Sequence, residues 1–158
     1  MSYLVDGNNV MAQRVGWHRD KARARRGLLE ELARFARGAG VKVSAVFDGA
    51  PDEHFPDGSS FMGVSVFYAE RGSDADARIR RFVDESRERR TLVVVTSDRA
   101  LADYVRRSGA RVVRSGEFRR RLEESETRGQ GVGEERTRPR SGDAASAADL
   151  DGWMRYFG

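Results

Sequence analysis

The chain has 158 residues and no cysteine. That excludes a disulfide framework, a thiolate metal site and a cysteine nucleophile. Histidine is scarce: only His18 and His54 occur, each in or near an expected loop, with no spacing that pairs them. Ribonuclease chemistry that drives the RNA 2′-hydroxyl with two imidazoles as acid and base is therefore disfavoured. No apolar run approaches the ~20 residues that a membrane-spanning helix needs. The opening Met1 to Asp6 stretch has neither a basic leader nor a long apolar core, so no signal peptide and no membrane association are expected, and the expected location is cytoplasmic. A nucleophile elbow and a glycine-rich dinucleotide fingerprint are also missing, which sets aside serine-hydrolase and dinucleotide-binding readings.

Lysine is nearly absent as well. Lys21 and Lys42 are the only lysines among 29 basic residues, and the rest are arginine. The net charge is +4 and the sequence pI about 9.9. Arginine presents a planar fork that matches phosphate, so the excess suits a polyanionic partner, although a GC-rich genome would raise arginine in the same way.

The apolar content, 39% against 34% charged, suffices for one core under a charged surface. Short valine-rich runs bounded by Gly, Asp or Ser read as buried strands over Tyr3 to Val5, Val41 to Phe47, Val64 to Tyr68, Leu92 to Val95 and Arg111 to Val113. Helical spacing of apolar residues marks Ala22 to Arg37, stopped by Gly38 and Gly40, and then Ser73 to Glu88, Asp98 to Arg107 and Ser115 to Glu124. Such alternation implies βαβ units and a mainly parallel sheet of about five strands in one α/β domain over residues 1–126. Asp48 to Gly63 carries two of the three prolines and no period, and reads as a surface loop. From Thr127 the composition turns polar and glycine-rich, so residues 127–149 read as a flexible linker or tail. Residues 150–158 regain a pattern, with Leu150, Trp153, Met154 and Phe157 on one face of a short amphipathic helix that docks on its own domain, a second subunit or a partner.

Three expected strands run into aspartate: Asp6-Gly7, Asp48-Gly49 and, through Thr96-Ser97, Asp98. In an open parallel sheet the carboxyl ends of the strands share one edge, where ligands bind. Singly, each of these residues fits a turn or a helix cap; together they place several carboxylates at one edge. Carboxylates crowded there hold protons unless a cation sits among them, and an all-oxygen set suits Mg²⁺ or Mn²⁺ rather than zinc. A fourth candidate comes from Asp74-Ala75-Asp76, at the start of the helix after the Val64 to Tyr68 strand. Asp74 is assigned to the helix end and Asp76 to the site. Asn8 and Asn9 follow the first aspartate and serve either the turn or the substrate.

In this order the motifs resemble those of the NYN domains, a branch of the PIN-like nucleases. Asp6-Gly7-Asn8-Asn9-Val10 is similar to the family's D-G-x-N-hydrophobic opening. Val46-Phe47-Asp48-Gly49, Asp74 to Ile79 and Val95 to Asp98 follow in the family's sequence. The resemblance is strongest to the YacP-like branch and covers about Ser2 to Glu124. It implies a PIN-like α/β/α sandwich and a Mg²⁺- or Mn²⁺-dependent ribonuclease. Asp6, Asp76 and Asp98 would form the acidic centre, Asn9 would be the family asparagine, and Asp48 a supporting acid. The family's usual aromatic or aliphatic residue before that asparagine is Asn8 here, a departure that bears on substrate contact.

The expected reaction is hydrolysis of an RNA phosphodiester to 3′-hydroxyl and 5′-phosphate ends, assisted by one or two metal ions bound by Asp6, Asp48, Asp76 and Asp98. The expected partner is single-stranded RNA, with mRNA or ribosomal RNA on the ribosome as candidate targets. Candidate RNA-binding residues lie just after the Asn pair: Arg14, Arg19, Lys21, Arg23, Arg25 and Arg26, with His18 among them and Trp17 placed to stack on a base. Arg119 to Arg121 reads as an exposed basic face. The competing reading is an RNA-binding or ribosome-associated module with a weak or silent centre. A small-molecule phosphatase would need a closed pocket and no basic collar.

Overall fold

The computed structural model describes residues 1–131, with side chains described through residue 125. The linker expected beyond that point and the Leu150, Trp153, Met154, Phe157 helix lie outside the described residues. The elements run β1 Ser2–Asp6, α1 Gly7–Met11, α2 Lys21–Ala39, β2 Lys42–Phe47, β3 Ser59–Phe61, β4 Val64–Tyr68, α3 Ala75–Glu85, β5 Leu92–Val95, α4 Arg99–Arg107, β6 Arg111–Val113 and α5 Ser115–Gly131. One sheet has the order β3-β4-β2-β1-β5-β6. Every pairing is parallel except β3 with β4.

Alternate strand residues face opposite layers, as the pleat requires. Tyr3, Val5, Val43, Ala45, Val93 and Val95 pack against α1, α2 and α5. Leu4, Val46, Phe67, Leu92 and Val94 pack against α3 and α4. Both faces are covered, which is why these strands read as continuous apolar runs and not as alternation. The result is the three-layer α/β/α sandwich expected from the sequence. Among the described residues no helix is long and apolar enough to cross a membrane.

Four expectations change. The Asp48 to Gly63 stretch is not only a surface loop: it contains β3, so the sheet has six strands. Phe55 is buried there, packs edge-to-face on Phe61 at 5.3 Å, and accepts a hydrogen bond from the Tyr68 hydroxyl at its carbonyl, 2.7 Å. Three residues are too few to show a period of two, so the strand left no signal in the sequence. α1 also went unseen, because a five-residue helix spans little more than one turn. α2 runs through Gly38 and ends at Gly40, whose φ of 66° takes the left-handed conformation that closes helices.

The fourth change concerns Arg119. It does not join an exposed face but lies buried at the α2–α5 interface, where Nη1 meets Glu31 Oε2 at 2.6 Å. Arg14 reaches the same oxygen at 3.2 Å. An α5 turned to bury Phe118 and Leu122 must carry Arg119 inward beside them, and Glu31 balances its charge.

Candidate active site

Asp6, Asp48, Asp76 and Asp98 all lie at the carboxyl edge of the parallel strands. Asp6 ends β1, Asp48 follows β2, Asp76 opens α3 after β4, and Asp98 follows β5. The chain leaves β1 toward the α2 layer and leaves β5 toward the α4 layer, so a crevice opens between these two neighbouring strands.

The order of this edge comes from side chains that bridge strand ends. The Thr96 hydroxyl donates to Asp6 Oδ2 at 3.0 Å and accepts from the Asp98 backbone N–H at 3.1 Å. Asn8 Oδ1 accepts from the Asp48 N–H at 3.0 Å. Asn9 Oδ1 accepts from the Ser97 N–H at 2.8 Å and from the Ser115 hydroxyl. The two asparagines thus tie the end of β1 to the ends of β2, β5 and β6. The paired donors on Asn9 Oδ1 also fix which way its amide faces. Neither residue is a plain turn former. Removing the Asn9 acceptor leaves the buried Ser115 hydroxyl without this partner, and an unsatisfied buried donor costs about 1–3 kcal/mol. Asn9→Ala is expected to lower the unfolding free energy by about 2 kcal/mol in urea titration; an unchanged midpoint would show that the brace carries no load.

Asp74 and Asp98 cap their helices, accepting from the N–H groups of Ala77 at 2.9 Å and Leu101 at 3.0 Å. Asp48 Oδ1 accepts from the Ala75 N–H at 2.7 Å and so ties the end of β2 to the start of α3. Asp76 points inward, with Oδ2 in an ion pair with Arg80 Nε at 2.8 Å and Oδ1 buried without a hydrogen-bond partner.

The electrostatics follow from this crowding. Burial pushes the Asp6 carboxyl up from the ordinary 3.8 to about 6. The Thr96 hydroxyl and the Asn9 backbone N–H pull it down, while the charges of Asp48 and Asp76 push it further up. Asp76 is also raised, first by burial, with Arg80 opposing and Asp98 adding to the rise. Asp48 and Asp76 thus act on Asp6 through space, and Asp98 acts on Asp76.

All donors at this edge are oxygens, as a hard divalent cation requires. The orphaned Asp76 Oδ1 and the proton-holding Asp6 are the two features that a cation would relieve, so the residues fit one in chemistry. Among the described residues, however, no three acidic or imidazole groups already stand together as a cation cage. Asp76 and Asp98 each have one oxygen committed, to Arg80 and to the α4 cap.

The expected RNA-binding residues divide. Arg14, Trp17, Arg19, Arg23 and Arg26 line a cleft of about 530 Å³ on the α2 side. Trp17 is half-buried against the core, with Lys21 Nζ 5.8 Å from its ring. Arg25 turns away: its guanidinium lies over Phe47 and Tyr68 at 5.2 and 5.1 Å and pairs with Asp52 at 3.9 Å. His18 and His54 are exposed and make no part of the acidic edge.

Some contributors escaped the sequence reading. Thr96 is along the chain only a link between the strand and Asp98, yet its hydroxyl joins the Asp6 carboxylate to the Asp98 backbone. Arg80 had a signal, the four-residue spacing from Asp76 that places both on one helix face. Gly7 reads as a turn residue and is not one. It opens α1 directly beneath the Phe47 ring, where a Cβ would stand 2.4 Å from Cε1.

A search of the curated proteins finds no match. Among solved structures, the W164L variant of Rae1 (YacP) from Bacillus subtilis superposes with a TM-score of 0.72 at 22% identity, covering 96% of this chain and 98% of that one. Rae1 (YacP) without that substitution gives 0.70 at 23%, covering 99% and 92%. At this identity the likeness establishes the fold. The model of the YacP-like NYN domain matches residues 3–156, which takes in the polar stretch after Thr127 as well as the acidic edge. The chain therefore belongs to the YacP-like NYN domain family of nucleases.

Proposed function

We propose that the chain is a metal-dependent endoribonuclease that hydrolyses RNA phosphodiester bonds and leaves 3′-hydroxyl and 5′-phosphate ends. One observation carries this reading: four aspartates from four separate elements lie along one sheet edge, where burial and neighbouring carboxylates raise the proton affinity of Asp6 and Asp76. Asp6, Asp48, Asp76 and Asp98 would hold Mg²⁺ or Mn²⁺. A cation bound there supplies the charge that activates water and steadies the scissile phosphate. The chain's own residues supply the rest. Thr96 holds Asp6 and Asp98 in register, Asn9 locks the ends of β1, β5 and β6, and Asp48 fixes the start of α3 so that Asp76 faces the edge. The arginine-lined cleft beside Trp17 supplies positive charge for a single-stranded RNA passing the edge.

A second reading is favoured by the Asp76–Arg80 pair and by the lack of a preformed cation cage among the described residues. It is an RNA-binding or ribosome-associated module whose centre is weak or silent. An end-labelled single-stranded RNA incubated with Mn²⁺, Mg²⁺ or EDTA separates the two. The nuclease gives metal-dependent fragments bearing 5′-phosphates and none in EDTA. RNA retained without cleavage under either metal would overturn it in favour of the binding module.

A further inference from the structure

A second cleft, of about 410 Å³, lies on the α4 side of the acidic edge. It lies between α4 and β6. Arg99, Ala102, Asp103 and Arg106 line one wall. Their spacing of three, four and seven residues places them on one stripe of α4. Arg114, where β6 gives way to α5, lines the other wall, and Val112 lies between the two. Thr96 and Ser97 close the end nearest the acids. Thr96 is the residue that hydrogen-bonds Asp6, so the cleft begins where the acidic centre ends.

Its charge is one-sided. Three arginines face a single carboxylate, Asp103, which pairs with Arg106 only loosely at 3.8 Å with both side chains more than half exposed. Arg99 and Arg114 have no ion pair or side-chain hydrogen bond among the described residues. Elsewhere in the chain the inward-facing arginines are matched, Arg119 by Glu31, Arg78 by Asp57 and Arg80 by Asp76. Unmatched guanidinium forks in a recess suit phosphate oxygens, which arginine binds in bidentate fashion. The few apolar atoms, from Ala102 and Val112, offer no aromatic surface on which a base could stack.

We infer that this cleft is a phosphate-backbone subsite: it holds the RNA strand on the side of the scissile bond away from the Trp17 cleft, by charge and without reading bases. The inference rests on the proposed ribonuclease reading and adds that the strand is held on both flanks of the acids. Contacts of this kind weaken with salt, with a slope in log K against log salt of about 0.7 per phosphate neutralised on a single strand.

The test is fluorescence anisotropy of a labelled single-stranded oligoribonucleotide in EDTA across a salt series. It compares the full chain with Arg106→Ala/Arg114→Ala, with Arg106→Lys/Arg114→Lys, and with Arg37→Ala, an exposed arginine at the far end of α2. The alanine pair is expected to weaken binding by about tenfold at low salt and to lower the salt slope by about 1.4. The lysine pair, which keeps both charges, should recover most of the slope, and Arg37→Ala should match the unaltered chain. An alanine pair with unchanged affinity and slope overturns the subsite while leaving the nuclease reading intact. An equal loss in Arg37→Ala also overturns it, since the charge would then be diffuse. If the unaltered chain neither binds nor cleaves the RNA, the ribonuclease reading falls and the subsite with it.

Discussion

Asp6→Asn is expected to abolish RNA cleavage and, in the absence of metal, to make the protein more stable. The loss should exceed about 100-fold, the effect that outer partners of a metal site alone produce, because Asp6 stands at the centre of the acidic edge. The gain in stability follows from its proton affinity. The Asp6 carboxyl titrates at about 6 in the folded chain against an ordinary 3.8. Between those values the folded state holds more protons than the unfolded state, so stability falls as pH rises from about 4 to about 6 and stays low above it. At 1.36 kcal/mol per tenfold change in proton affinity, the ionised residue costs the fold on the order of 3 kcal/mol at neutral pH. Asparagine removes that charge and keeps a side-chain oxygen for the Thr96 hydroxyl.

Urea midpoints of both proteins in EDTA at pH 4 and pH 7.5 measure this. The variant should lead at pH 7.5 and lose its advantage at pH 4. A variant less stable than the parent at pH 7.5 would mean that ionised Asp6 is well solvated or well paired, and the account of the acidic edge would fail. Added Mn²⁺ should stabilise the parent and not the variant, since ligand bound only to the folded state raises its stability.

Gly7→Ala should destabilise the protein by about 2–3 kcal/mol, the range of an overpacked core. Two effects compete. Alanine in a helix is favoured over glycine by up to about 1 kcal/mol. Against this, the new methyl would stand 2.4 and 2.5 Å from two carbons of the Phe47 ring. That ring is fully buried, lies under the Arg25 guanidinium, and touches Tyr68 with ring centres 6.0 Å apart, so it has little room to yield. The steric effect wins. Its origin is tested by repeating the substitution in a Phe47→Leu background, where the cost should shrink or reverse. An equal cost in both backgrounds would show that the ring is not the obstacle. Because Gly7 adjoins Asp6, the displaced backbone should also lower cleavage, which separates Gly7→Ala from an ordinary surface substitution.

Much of the architecture was legible along the chain. Residues such as Val93, Val94 and Val95 are apolar in succession because helices cover both faces of the sheet, and that pattern is local. The alternation of such runs with helical spacing then dictates a parallel sheet, and a parallel sheet places Asp6, Asp48 and Asp98 at one edge. Asp76 was legible from its place after the β4 run. β3 was not legible, because its pairing rests on contacts between Phe55, Phe61 and Tyr68 and not on periodicity.

The sequence by itself determined the apolar faces of most strands and helices and the order of the elements, since each depends on spacing within one segment, and the parallel sheet they imply lines up the strand-end acids. Only the tertiary structure decided what those residues do for one another. Gly7 is required by a ring forty positions away, Asn8 and Asn9 brace strand ends and do not close a turn, and Arg119 is buried because Glu31 waits opposite. Arg25 is spent on two aromatic faces, and Arg99, Arg106 and Arg114 share one cleft. Apart from the α4 arginines, whose shared stripe is local, the partners in each case are far apart in sequence. They meet only when the strand order and the rotation of each helix about its own axis are set, and no local pattern encodes either.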